Sequence, residues 1–208
     1  FSQVKSVAAY WGLLDAGLIP EKRLELFVQA LRENWAFKLA HRVPSQSADS
    51  EGYNFETGNY WRGGVWPCTN FMVLRGLRQV GQHGLAHEIG VNHLTNVTAV
   101  FEKTGSFWEN YAPETAAPGD PAAENPIGMA GLSPIAILLE DVIGLSVDWP
   151  QRRVFWDRRL MSELPYGVQN YPLGPDGTLS LVADPSRLVL TTDLPFTLTL
   201  RDAQQSMQ

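Results

Sequence analysis

Asn59-Tyr60-Trp61-Arg62-Gly63-Gly64-Val65-Trp66-Pro67 is the stretch whose reading sets the architecture. Its glycines and polar residues close a long loop, and Trp66-Pro67 opens a helix. Proline suits a first helical turn because its φ is preset and it has no N–H to leave unpaired. The helix predicted from there runs to Val80, with Phe71, Leu74 and Leu77 inward at helical spacing. Gln82-His83-Gly84 reads as a short turn, and Leu85 to Phe101 as the hairpin partner, carrying Ile89, Leu94, Val97 and Phe101. Gly105 to Ile127 is a second long loop.

Upstream, Val4 to Leu18 reads as a helix with Val4, Val7, Ala8, Trp11 and Leu14 on one face. Pro20 opens another, running to about Trp35, with Leu24, Phe27, Val28 and Leu31 as its stripe. Pro44 to Tyr60 is a long polar loop, and such a loop in a compact domain is more often functional than idle. Downstream, Gly131 to Ile143 reads as a buried helix that Gly144 ends. Short turns alternate with long loops, so the long loops gather at one end of an array of about five helices. Paired helices with working loops at one mouth are how an α/α barrel is built. Five helices are less than half of what six hairpins require.

After Trp149-Pro150 the pattern becomes short β-branched runs with turns between them. Val154-Phe155-Trp156, Gly167 to Tyr171, Thr178 to Val182, Arg187 to Thr192 and Phe196 to Arg201 read as strands. Gly174-Pro175-Asp176-Gly177 is a turn, and Ala203 to Gln208 a frayed end. The fold class is therefore mainly α. Residues 1–149 form part of an α/α barrel, and residues 150–208 a small antiparallel, sandwich-like β domain.

The composition narrows the function. At 44% hydrophobic and 18% charged, 208 residues can bury a core, and disorder is disfavoured. A formal charge of −6 with no Lys/Arg run disfavours nucleic acid, whose binding leans on clustered positive charge. The longest apolar runs, such as Pro134 to Leu139, are far too short to span a bilayer. Cys68 is the only cysteine, so no internal disulfide forms; on a helix and without a paired histidine it reads as a buried, inert thiol. The chain starts at Phe1 and not at methionine, so it reads as processed or cut from something longer. No leader is visible, but a missing N-terminus has room for one; the compartment is left open with a weak lean to cytoplasmic, since one thiol does not fix it. The sequon Asn96-Val97-Thr98 falls inside a predicted helix and carries little weight.

Two loop segments carry the chemistry: Tyr60 to Trp66, and Gly105-Ser106-Phe107-Trp108-Glu109-Asn110-Tyr111. Flat rings suit the C–H faces of a sugar, and carboxylates and amides suit its hydroxyls. Seven tryptophans exceed what a core of this size needs, so some of them face ligand. Trp61 and Trp66 are candidates to stack on a sugar; packing at a helix start is the alternative. Arg62 either meets sugar hydroxyls, holds Glu109, or makes a structural ion pair. Trp108 and Tyr111 bracket Glu109 as candidate walls, and Gly63-Gly64 lets the backbone approach substrate. Glu109 is the candidate base, kept ionised by partial solvation, bonds from Asn110 or Tyr111, or a nearby Arg62, with the surface carboxylate as its plain alternative. Glu114 reads as solvated, as do Asp49, Glu51 and Glu56. His83 and His87 suggest a metal pair, but Gly84 and the turn break the shared face, so no metal site is expected. His41 and His93 read as surface or interface residues. Ser133-Pro134 lacks a nucleophile-elbow context.

Tyr60-Trp61-Arg62-Gly63-Gly64-Val65-Trp66, followed by Asn70, Leu74-Arg75-Gly76-Leu77 and Gly81, resembles glycoside hydrolase family 63. So does Phe107-Trp108-Glu109-Asn110-Tyr111-Ala112-Pro113-Glu114-Thr115 with Pro118-Gly119. The similarity runs over roughly Phe1 to Leu145, and family 37 trehalases are structural cousins. The resemblance implies an (α/α)6 barrel and inverting hydrolysis with two carboxylates. Glu109 matches the general base, and Tyr60, Trp61, Arg62, Gly63, Trp66, Trp108 and Tyr111 are the candidate substrate-binding residues beside it. The general acid, an Asp expected upstream, has no counterpart here, which implies that the N-terminal half of the barrel is missing. Gly64 stands where relatives often have proline, and Gly128-Met129-Ala130-Gly131 departs from a more aromatic segment.

The expected activity is hydrolysis of an oligosaccharide or small glucoside, α-glucosidase-like, with no cofactor. A trehalase-like hydrolase, a barrel fragment that binds sugar without cutting it, and a purely structural domain are the competing readings.

Overall fold

The computed structural model describes residues 3–126, 128–175 and 177–202. The chain divides into two compact units, one ending at Asp141 and the other starting at Val142. The helix expected over Val4 to Leu18 is a 3-10 helix over Val7–Leu14, followed by a turn. Ser6 caps it, its Oγ accepting from the Ala8 N–H at 3.3 Å. Three residues per turn put i, i+3 and i+6 on one line. Val7, Tyr10 and Leu13 are therefore buried, while Trp11, expected inward, is 43% exposed.

Helix α1 spans Glu21–Gln29 behind Pro20 and runs into a 3-10 turn, Ala30–Arg32. Helix α2 spans Pro67–Gln79, with Pro67 in its first turn. Gly76 lets α2 lie close to the 3-10 helix: a Cβ there would sit 2.8 Å from the Leu13 Cβ. Helix α3 spans His83–Thr104 and ends on Gly105, whose left-handed φ of 74° lets its N–H reach the Phe101 carbonyl at 2.7 Å. Gln82-His83-Gly84, expected as a turn, is the N-cap and first residues of α3; the turn lies just before it, at the left-handed Gly81. Val28, Leu31, Phe37, Val73, Leu74, Leu77 and Ile89 form the centre of this unit's core.

Helix α4, Met129–Ile137, differs from the buried helix expected over Gly131 to Ile143. It buries Ser133, Pro134 and Ile137 but exposes Met129, Leu132 and Ile135. It widens into a π-helical segment, Leu138–Ile143, and ends at Gly144, where a Cβ would stand 2.0 Å from the Asp157 carbonyl oxygen.

The second unit holds two three-stranded sheets, one of them mixed where antiparallel pairing was expected. Strands β1 (Leu145–Asp148), β2 (Arg153–Arg158) and β6 (Thr197–Asp202) form one, in the order β1-β2-β6. β1 and β2 are antiparallel, and β2 and β6 are parallel. Strands β3 (Tyr166–Pro172), β4 (Thr178–Ala183) and β5 (Leu188–Thr192) form the other, fully antiparallel. Their inner faces share a core of Leu145, Val154, Trp156, Leu173, Leu179 and Leu181. Because β1 pairs with β2, this unit begins ahead of the Trp149-Pro150 boundary read from sequence. The turn at Asp176 and the tail from Ala203 fall outside the described residues.

Candidate functional site

The two long loops join at Val65. Its N–H donates to the Tyr111 carbonyl at 2.8 Å, and the Tyr111 N–H returns to the Val65 carbonyl at 2.9 Å. Pro44 pairs on the other side of Val65, and Pro118 on the other side of Tyr111, all antiparallel. Four irregular segments thus share their buried backbone groups as a narrow sheet would. Trp66 and Glu109 each lie within two residues of this pair.

The first loop is held by Gly58 and by strained backbone. Gly58 has φ +80°, and a Cβ there would meet the Gly64 Cα at 2.3 Å. Its carbonyl accepts from the N–H groups of Arg62 (3.0 Å) and Gly64 (3.1 Å). Asn59 and Tyr60 both take positive φ, 33° and 64°, an unfavourable conformation for tyrosine. Such strain persists only where surroundings over-determine it, and it clusters at functional sites. Here it turns three rings together. Trp61 and Trp66 stack at 4.1 Å and 5°, and Tyr60 meets the Trp66 ring edge-on at 4.7 Å. The Trp66 indole N–H donates to the Tyr60 carbonyl at 3.1 Å. Trp66 is 5% exposed and Trp61 50%, so one ring is a buried support and the other offers its outer face. Gly63 is buried against Tyr53 and Asn54.

Glu109 is half-buried on the second loop. Its backbone N–H donates to the Ala123 carbonyl at 2.8 Å, and its Oε2 accepts from the Ala123 N–H at 3.3 Å. None of the side-chain donors expected for it reaches its carboxylate among the described residues. The Asn110 amide donates to the Pro121 carbonyl, and the Tyr111 hydroxyl accepts from the Trp108 N–H. Arg62 is exposed, with its guanidinium beside Gly52. Tyr111 is 1% exposed and packs with Val65, Val97 and Val100, so its ring supports the loop from below and does not wall a cleft. Trp108 packs against the same cluster, and its indole N–H donates to the Thr104 hydroxyl at 3.1 Å. Burial raises the Cys68 thiol above its usual range, and the Glu109 charge adds to that rise. The carboxylate is thus within electrostatic reach of Cys68, in the first turn of α2.

Residues 1–126 match the family of mannosylglycerate hydrolase MGH1-like glycoside hydrolase domains. The chain belongs to that family. It is 37% identical over 112 residues to the mannosylglycerate hydrolase of Thermus thermophilus, covering 54% of this chain and 25% of that one. It is 36% identical over 112 residues to a probable mannosyl-oligosaccharide glucosidase of Schizosaccharomyces pombe, covering 48% and 14%. Among solved structures, the Thermus thermophilus glycoside hydrolase family 63 mannosylglycerate hydrolase in complex with glucose superposes with a TM-score of 0.50 at 29% identity, over 64% of this chain and 29% of that one. The chain therefore spans about a quarter of the Thermus mannosylglycerate hydrolase's length.

Several side chains of this glycoside hydrolase domain sit where sequence reasoning did not put them. His41 and His93 are both fully buried, with His41 Nε2 and His93 Nδ1 3.1 Å apart, and His41 5.5 Å from the Tyr111 ring. Burial holds His41 well below the usual imidazole range, with His93 adding to it, and lowers His93 to about 4. His83 and His87 share α3 after all, so Gly84 breaks no face. His87 Nδ1 lies 2.9 Å from the Asp141 carbonyl oxygen, and no metal-binding group of three occurs among the described residues. Glu114 is exposed and accepts from the Tyr53 hydroxyl at 3.1 Å. Asn96 lies inside α3 with its amide on the Ala40 and Asn92 carbonyls. Asn110, fully buried beside Glu109, was noted only as a possible donor. Its adjacency to the carboxylate and the downstream Pro118-Gly119 were the available signals.

Proposed function

We propose that this chain is the base-bearing part of an inverting glycoside hydrolase with an (α/α)6 barrel, and that Glu109 is the general base. In this reading a sugar ring lies against the outer face of Trp61. Glu109 takes a proton from a water that attacks the anomeric carbon, the glycosidic C–O bond breaks, and a carboxylic acid protonates the leaving oxygen. That acid, an Asp, is supplied by barrel helices beyond these 208 residues. The two carboxyls are then separated by roughly 6.5–9.5 Å, the room a water needs. The substrate is a small α-glycoside or an oligosaccharide; the names of the Thermus and yeast relatives support a glycoside but leave the sugar open.

The observation that carries the reading is the two-way Val65–Tyr111 pairing, which joins the Trp61–Trp66 stack to the Glu109 loop. The second support is the half-buried setting of Glu109, with one oxygen fixed by a backbone N–H and no ion pair with Arg62 among the described residues. The test is Glu109→Gln in the polypeptide that carries both carboxyls. General-base loss lowers turnover by roughly 10²–10⁴-fold, while sugar binding, followed by tryptophan fluorescence, persists. Turnover within a few-fold of the parent rejects the role of Glu109. Release of the sugar with its anomeric configuration retained, read by NMR, rejects inversion.

A further inference from the structure

Asn110 occupies an unusual place. Its side chain is fully buried beside the exposed face of the loop, and its Nδ2 donates to the Pro121 carbonyl at 3.0 Å. Its own carbonyl accepts from the Gly119 N–H at 3.0 Å. Its Oδ1 has no hydrogen-bond partner among the described residues. That oxygen is crowded. A Cβ on Gly119 would stand 1.8 Å from it, and a Cβ on Gly64 3.1 Å from it. The amide therefore fills the gap between the first loop, at Gly64, and the returning segment, at Gly119. Only two residues without side chains let it do so. Leaving a buried acceptor unpaired carries a cost that the one bond to Pro121 offsets only in part. What the amide adds is a fixed separation between two backbones.

We infer that Asn110 is a positioning residue for the hydrolytic reaction: wedged between Gly64 and Gly119, its amide sets the distance between the Glu109 carboxylate and the Trp61–Trp66 stack. The inference rests on the reading of Glu109 as base. Glu109 is the preceding residue, and Gly64 lies two residues before Trp66, so a change in the wedge moves both partners relative to each other. A displacement on the scale of 1 Å is enough to lower a rate about 10²-fold without touching the chemistry.

The experiment is a double-mutant cycle on kcat and KM with Asn110→Ala and Gly119→Ala, in the polypeptide that carries both carboxyls. Gly119→Ala drives a methyl into Oδ1; Asn110→Ala removes the atoms it strikes. Each single variant is expected to lower kcat by roughly tenfold or more with KM changed less than about threefold. The double variant is expected to be no worse than Asn110→Ala alone, because the collision is gone. Asn110→Asp, of nearly the same shape, is expected to keep the fold with its buried carboxyl protonated, the O–H taking over the bond to the Pro121 carbonyl. Ionisation at higher pH breaks that bond and loosens the wedge, so kcat should fall at a pH where the parent's does not. If an alanine variant does not fold, the Asn110→Asp profile decides. Unchanged kcat in Asn110→Ala, strict additivity in the cycle, or an Asn110→Asp profile with the parent's shape each overturn the inference. Glu109→Gln is run alongside. Activity retained there removes the reading of the base itself, whereas an inactive Glu109→Gln with an unaffected Asn110→Ala removes only the wedge.

Discussion

Trp61 and Trp66 show how much of this site is decided by single side chains. The two rings are stacked, but one is half exposed and the other almost wholly buried. They should fail differently. Trp61→Ala removes the solvent-facing surface and is expected to raise KM by about tenfold, the equivalent of roughly 1.4 kcal/mol, with kcat little changed. Trp66→Ala removes a buried indole under it and is expected to cost about 3–5 kcal/mol in denaturant unfolding. Equal effects of both on KM, with stability untouched, would contradict the division between platform and support. Gly58 makes a related point about backbone. With φ +80° and the Gly64 Cα in the space a methyl would need, Gly58→Ala should destabilise the loop beyond the gain from a stiffer unfolded chain. A lower melting temperature in that variant is the expected result.

At the scale of elements, helices with chemical punctuation were legible and those without it were not. α2 begins at Pro67, as proline at a first turn dictates, and α3 runs past the Phe101 end read from periodicity to Thr104, where Gly105 caps it. The first helix carries no such mark for its type. Its apolar residues fit an α-helical face through Trp11 and equally a three-residue line through Val7, Tyr10 and Leu13, and packing against α2 selects the second. The two lines are separable by mutation. Leu13→Ala is expected to cost about 2–5 kcal/mol, whereas Trp11→Ala should cost far less; urea unfolding of the pair reads this directly. The reverse order would restore the α-helical face. α4 misled for another reason. It is apolar nearly all round, so composition alone assigned it to the interior, yet only its Ser133–Pro134–Ile137 side is buried. β1 was too short to stand out, and the parallel pairing of β2 with β6 joins residues far apart in sequence, where periodicity carries no signal. The candidate site divides the same way. The aromatic and acidic residues were visible as two motifs, but the donor to Glu109, the Ala123 N–H, is a backbone group contributed by a later turn and leaves no mark in composition.

For the molecule as a whole, the buried titratable groups set how stability follows pH. His41 and His93 are held neutral, both lowered by burial, His93 to about 4 against an ordinary value of 6.5. The unfolded chain binds protons at these sites that the folded chain refuses. Their contribution is therefore full above about pH 6.5 and is lost as pH falls toward 4. Asp141 works in the opposite sense. Burial, only partly offset by Arg78 at 3.0 Å, raises its carboxyl to about 7 from 3.8. Its contribution is full below about 3.8 and is lost as pH rises through 7. Between about pH 4.5 and pH 6.5, two imidazoles thus oppose one carboxyl. The net is about one extra proton on the unfolded chain, so stability should decline by about 1 kcal/mol per pH unit on acidification. Glu88 and Asp49, whose carboxyls are lowered against an opposing effect of burial by bonds to Arg42 and Lys5 respectively, add their losses only at lower pH. Asp141→Asn removes the opposing group and should roughly double the slope in this window. His93→Gln should flatten it, because one of the two refused protons is no longer counted. Urea unfolding of the three proteins across the window measures all three slopes. A parent whose stability rises on acidification would mean that the histidine pair is not held neutral inside the helical unit.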